Sequence, residues 1–214
     1  VTRRATRALL PSLVLAWAHT ALADEVSVRP RQLPGCDKEV RTCLPVDLYL
    51  AAGQPKADRG WLAAQLEFAN RRLSVIGVGL EVSRIAALPE ALHTVRGSDM
   101  RDATGAGRLR KGALTWIVAA ALVDLDGESP RQGVTWRAAG RPWVIEARTA
   151  TSWVLAHEVG HVLGLSHSRE YRSIMNKKAR PILPGLLGYT ERERPIMRAT
   201  LHTLHRKKWL GPAR

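Results

Sequence analysis

The chain is poor in cysteine, in acidic residues and in long apolar runs. Its two cysteines, Cys36 and Cys43, are too few for a disulfide framework or for a zinc site closed by thiolates. Beyond the N-terminus the longest apolar stretch, Ala113 to Val123, has eleven residues; that suits a buried strand and is too short for a membrane span. Acidic residues number 19 against 33 Lys and Arg, a net charge of +14 over 214 residues. Such a balance favours an acidic partner or an anionic surface. Nucleic acid is not expected as a partner, because the chain carries no nucleic-acid motif and begins like an exported protein. The basic residues are scattered, with local clusters at Lys177, Lys178 and Arg180 and at Arg206, Lys207 and Lys208. No internal repeat is present.

The first 23 residues differ from the rest. Arg3, Arg4 and Arg7 precede an apolar run that ends in Ala21-Leu22-Ala23, the small-residue pattern of a signal-peptide cleavage site. Pro11 and His19 interrupt that run, which argues against an anchor that stays in a bilayer. We therefore expect a signal peptide over 1–23, a secreted or periplasmic protein, and a net charge of +11 after its removal. In that setting Cys36 and Cys43 are expected to form one disulfide. Residues 24–45, with three prolines and both cysteines, read as an extended arm or short pro-segment.

What the chain does have is AHEVGHVLGLSH at 156–167. On a helix His157 and His161, four positions apart, point their imidazoles at a common spot that suits one zinc ion. Glu158 leans over the remaining open position, where it serves as a base rather than a ligand. Gly164 tolerates positive φ, so the helix can end in a left-handed residue and the chain can turn back to deliver His167 as a third ligand. Chance gives the full pattern in roughly one such chain in 10⁴ to 10⁵.

HEVGHVLGLSHS resembles the extended zinc signature of the metzincin metallopeptidases, and Ser168 after the third histidine most resembles the matrixin branch. RSIMN, 172–176, resembles the methionine turn that metzincins carry beneath the metal, with Met175 eight residues after His167. Some metzincins place a zinc-approaching tyrosine two residues past that methionine; here the position is Lys177, and neither Tyr171 nor Tyr189 matches it. RTCLPVD, 41–47, is also faintly similar to the matrixin cysteine switch, in which a thiol fills the metal's open position, although its spacing and flanks differ. The resemblance implies a zinc endopeptidase acting on a polypeptide substrate: one catalytic zinc on His157, His161 and His167, and Glu158 activating a zinc-bound water. No second zinc is expected from His93, nor from His202 and His205. A binding module for acidic envelope polymers, or an amidase acting on a non-peptide or cell-wall amide, shares these residues and stands as the alternative.

The rest of the chain reads as an α+β domain over 46–214, with an upper part to 164 and a lower part from 165. A first strand is expected over 46–52. A helix capped by Asp58 follows, with Leu62, Leu66, Ala69, Leu73 and Ile76 in one stripe. Further strands are expected at 78–85, 114–123, 133–139 and 142–147, with a long irregular loop over 89–112. DLDGES at 124–129 is a carboxylate-rich turn that gives only weak support to a calcium ion. Thr151 or Ser152 should cap the zinc helix, which runs to about Leu163. Thr190 and Glu193 form a capping-box pattern before a last helix bearing Met197, Leu201 and Leu204, with Pro195 tolerated in its first turn. This element order is the mixed sheet, zinc helix, methionine turn and terminal helix that the metzincin resemblance implies.

Overall fold

A computed structural model describes residues 28–51, 59–125, 129–178 and 181–211. The expected signal peptide, Asp58 and the middle of the 124–129 turn lie outside them. Four parallel strands form most of one sheet: β1 (Thr42–Ala51), β2 (Val78–Leu88), β4 (Leu114–Ala119) and β7 (Arg141–Ala147). Its order is β2-β1-β4-β7-β6, with β6 (Gly133–Ala138) antiparallel to β7 and forming one edge. Buried on both faces, β4 and β7 read as near-continuous apolar runs, as central parallel strands do.

Alternation divides the strand residues between two cores. Leu44, Val46, Leu48 and Leu50 of β1 join Trp116, Val118 and Val144 on one face, covered by α1 (Arg59–Leu73) and α3 (Val154–Val162). Leu62, Leu66, Ala69 and Leu73 of α1 are all buried there, so the four-three-four spacing marks the packed stripe. Tyr49, Ile117, Trp143 and Ile145 point to the other face.

The second face corrects the sequence reading of 89–112. Instead of an irregular loop the chain forms a two-residue strand, β3 (Thr94–Val95), and a helix, α2 (Gly97–Gly105), which close over Trp143. A nine-residue helix with glycine at both ends has little local signal. Tertiary contacts hold it: Trp143 Nε1 donates to Thr104 Oγ1 at 3.0 Å and Trp136 Nε1 to Asp102 Oδ1 at 2.7 Å. Gly105 lies so close to Trp143 that a Cβ there would stand 2.7 Å from the indole. The single strand expected over 114–123 is also divided: β4 ends at Ala119, and β5 (Ala121–Leu122) pairs with β3 in a separate two-stranded sheet.

Strand β1 begins at Thr42, four residues earlier than expected, because the disulfide between Cys36 and Cys43 fastens the arm to the sheet. Cys43 pairs with Gly79 in β2, and only a residue without a side chain fits at 79, since a Cβ would lie 2.8 Å from Cys36 Sγ. The arm buries Val28 and Leu33 in the helix-side core, and Asn70 of α1 holds it by donating to Gly35 O at 3.0 Å. Both thiols are consumed in this bond, so neither is available as a switch over a metal.

After α3 the chain reverses, passes the methionine turn and ends in α4 (Glu193–Arg206), which buries Met197, Leu201 and Leu204. Half of the expected capping box is formed, with Glu193 Oε2 accepting from the Thr190 N–H at 2.7 Å. The other carboxylate oxygen accepts from Ser173 Oγ at 2.6 Å and ties the helix start to the methionine turn.

Candidate active site

Helix α3 supplies the first three residues of the site. Neither Thr151 nor Ser152 caps it through a side chain; Val154 N donates to the Thr151 carbonyl at 3.0 Å, and the Thr151 hydroxyl meets Gln132 Oε1 instead. At the other end Gly164 adopts φ +90°, and Leu165 N bonds back to Gly160 O at 3.0 Å. A side chain at 164 would be strained and would also strike Thr200 of α4, whose Oγ1 would stand 2.3 Å from the Cβ. The chain then returns, and Ser168 N donates to Met175 O at 3.0 Å, linking the segment that carries His167 to the methionine turn.

These turns gather His157, His161 and His167. One nitrogen from each lies within 4.8 Å of the others, and the Nε2 atoms of His157 and His161 are 3.2 Å apart. His157 Nδ1 lies 2.7 Å from Ile174 O, and His161 Nδ1 lies 2.7 Å from Leu165 O. Carbonyls only accept, so both Nδ1 atoms carry the proton and both Nε2 lone pairs face inward. Burial lowers the proton affinity of His161. Burial, followed by the charges of Lys177 and Arg131, does the same at His167, so both rings favour the neutral form that a metal requires.

This donor set fits zinc. Three nitrogens at about 2.0–2.1 Å from a tetrahedral ion stand about 3.3 Å from one another, close to the His157–His161 separation. Among the described residues no other group of three His, Cys, Asp or Glu side chains converges in this way.

Met175 lies beneath the helix, completely buried. A Cβ on Gly160, between the two helical histidines, would stand 2.4 Å from its Sδ, so this close packing requires glycine. Tyr189 supports the same turn from below, its hydroxyl donating to Ala156 O at 2.5 Å. Tyr171 is exposed and Lys177 is at the cleft rim.

Glu158 is 5 % exposed and lies against the edge strand. Thr135 Oγ1 is 2.9 Å from Glu158 Oε2 and 2.7 Å from its backbone carbonyl. A Cβ on Gly133 would stand 3.0 Å from the carboxylate and 2.6 Å from Val154, so β6 closes on the helix only because residue 133 is glycine. Burial raises the carboxyl to about 7, with the Thr135 hydrogen bonds and Arg131 opposing the shift.

Sequence reasoning did not single out Gly133 or Thr135, and it also missed Glu146. That carboxyl is fully buried on the helix face of β7, accepts from Trp116 Nε1 at 2.6 Å, and leaves Oε1 without a hydrogen bond among the described residues. Burial first, and the nearby Glu158 charge, push it well above the ordinary value of 4.5, while the Trp116 bond opposes. Because the folded state holds this proton more tightly than the unfolded chain, the stability it contributes is full below about pH 4.5 and is lost as pH rises toward the folded value. Glu146→Gln, which stays neutral, is therefore expected to melt at a higher temperature than the parent at pH 8, with the difference vanishing near pH 4. Thermal melts across that range check it; equal melting temperatures at pH 8 would contradict it.

The site opens into a cleft of about 900 Å³ bounded by β6, α3 and the chain after Met175, with Ile182, Pro184 and Leu187 on its apolar floor. Fold and site together resemble the metzincin type, with a matrixin-like signature around the three histidines. Residues 92–183, the part that carries the site, match the matrixin family. Metalloproteinase-II from Bacteroides fragilis has a similar fold, with a TM-score of 0.55 at 13 % identity over 78 % of this chain and 56 % of that one. Archaemetzincin from Methanopyrus kandleri is similar with a TM-score of 0.54 at 16 % identity, over 74 % of this chain and 96 % of that one. No curated protein matches the sequence.

Proposed function

We propose that the chain is an exported zinc endopeptidase. The observation that carries this reading is the convergence of two inward Nε2 atoms and His167 beside the buried carboxyl of Glu158. His157, His161 and His167 hold the metal. A zinc ion there supplies a Lewis acid that polarises the scissile carbonyl and acidifies a water molecule. Glu158 removes the proton from the attacking water at its carboxylate and later delivers it to the leaving amine nitrogen. Thr135 fixes the orientation of that carboxylate through Oε2.

The substrate lies extended along β6. As an edge strand β6 has main-chain groups that no neighbouring strand of the sheet uses, and a polypeptide can pair with them. The disulfide fits an oxidising compartment, in agreement with the N-terminal pattern, and none of the described helices is long and apolar enough to cross a membrane. The reading is tested by incubating the protein with a pool of random peptides and sequencing the product ends. Internal cleavages that disappear on chelation are expected. Trimming from chain ends alone would overturn the endopeptidase assignment, and zinc retention without any peptide cleavage would favour a non-peptide amide or a binding role.

A further inference from the structure

The walls of the cleft carry an imbalance of charge that the hydrolytic chemistry does not use. Among the described residues five cations line it, Arg101, Arg131, Arg137, Lys177 and Lys178, against two carboxyls, Asp124 and the proposed base Glu158. Asp124 is already engaged: it accepts from Arg131 Nε at 2.6 Å and lies 3.8 Å from Arg101. Arg137 donates to the His161 carbonyl at 2.5 Å, which satisfies a hydrogen bond without cancelling its charge. Lys177 and Lys178 are exposed and form no ion pair with a described residue. The uncancelled charge thus comes from two parts of the cleft lining, Arg137 on β6 and the two lysines on the chain after Met175.

Position along the groove gives this charge a meaning. Thr135, at the carboxylate of Glu158, marks the level of the chemistry on β6. Arg137 lies two residues further on, roughly 7 Å along the extended strand. A peptide paired with β6 therefore carries its side chains past a cation within about two residues of the scissile bond. Like charges lining one cleft add their fields on whatever lies between them.

We propose that this cleft selects polypeptides with Asp or Glu within about two residues of the scissile bond, and that Lys177 and Lys178 are specificity-determining residues for them. The proposal rests on the peptidase reading above and adds the substrate class. A polypeptide fits better than another polyanion because the cations flank a free strand edge, and only a polypeptide has the amide groups to pair with it. Complementary charge of this kind acts chiefly on encounter and selectivity, so it belongs in KM and in the choice of substrate rather than in the chemical step.

The test uses three peptides of one sequence that differ only in having Glu, Gln or Lys at the flanking positions. They are cleaved in competition by the zinc-loaded protein, and their binding to Glu158→Gln is followed by fluorescence anisotropy. At low salt the Glu peptide should exceed the Lys peptide in kcat/KM by roughly tenfold or more, with the gap narrowing at 0.5 M salt as screening shortens the reach of each charge to a few ångströms. Lys177→Glu with Lys178→Glu should abolish or invert the order in both assays, compared at saturating zinc, and Lys177→Gln with Lys178→Gln should remove most of it without introducing repulsion. Lys38→Glu with Lys111→Glu makes the same change in net charge outside the cleft and should leave the order intact. Equal use of the three peptides, an equal effect of the control pair, or an oligonucleotide that displaces the Glu peptide as strongly as the peptide displaces itself would overturn the proposal. If no peptide is cleaved but binding keeps its charge order and its dependence on the two lysines, the selectivity stands and the peptidase reading fails.

Discussion

Replacing Glu158 by Gln should lower kcat/KM by about 10³ to 10⁴-fold while leaving zinc content and folding close to those of the parent. General-base catalysis contributes about 10² to 10⁴-fold, and the upper end applies because one carboxylate serves both proton transfers. Glutamine keeps the length and shape of the side chain against Gly133 and can still accept from Thr135, so the wall between β6 and α3 should not move. What it lacks is a carboxylate that can take a proton from water. Parallel measurements of bound zinc and peptide hydrolysis check the result. A variant that kept its zinc and most of its activity would show that another group handles the proton.

His161→Ala should behave differently, losing metal and hydrolysis together. The substitution removes one of three nitrogens, and with it the Nδ1 bond to Leu165 O that holds the reversal after α3. Loss of an outer partner of a metal ligand already costs about 10 to 100-fold in affinity, so loss of the ligand itself should cost more. Stability should fall as well, because metal that binds only the folded chain contributes to folding. Zinc titration monitored by melting temperature separates the two variants: the Glu158→Gln protein should gain stability on adding zinc as the parent does, and the His161→Ala protein should gain much less. Equal stabilisation of His161→Ala would place the metal elsewhere.

The residues that sequence made legible are those whose geometry is local. The four-residue spacing of His157 and His161 is a property of any helix, and the reversal at Gly164 follows from a single backbone torsion. The α1 stripe and the pairing of β6 with β7 are likewise written in short-range periodicity. Gly133, Thr135 and Glu146 were not legible because their meaning lies in contacts with residues 21 to 30 positions away, as when Thr135 reaches Glu158 or Trp116 reaches Glu146. Helix α2 was hidden for the same reason, since its stability comes from Trp136 and Trp143 rather than from its own propensity. The early start of β1 depended on a disulfide whose effect on strand length no local pattern expresses. The preference of the cleft for charge is intermediate: Lys177 and Lys178 stand out in the sequence, but only the fold brings them into one cleft with Arg137.

The most direct test of the account is the metal content of the purified chain measured against its activity. One zinc per chain is expected, with internal peptide cleavage abolished by a chelator and restored in proportion as one equivalent of zinc is returned. A chain that binds no zinc, or that cleaves peptides equally well after the metal is removed, would contradict it.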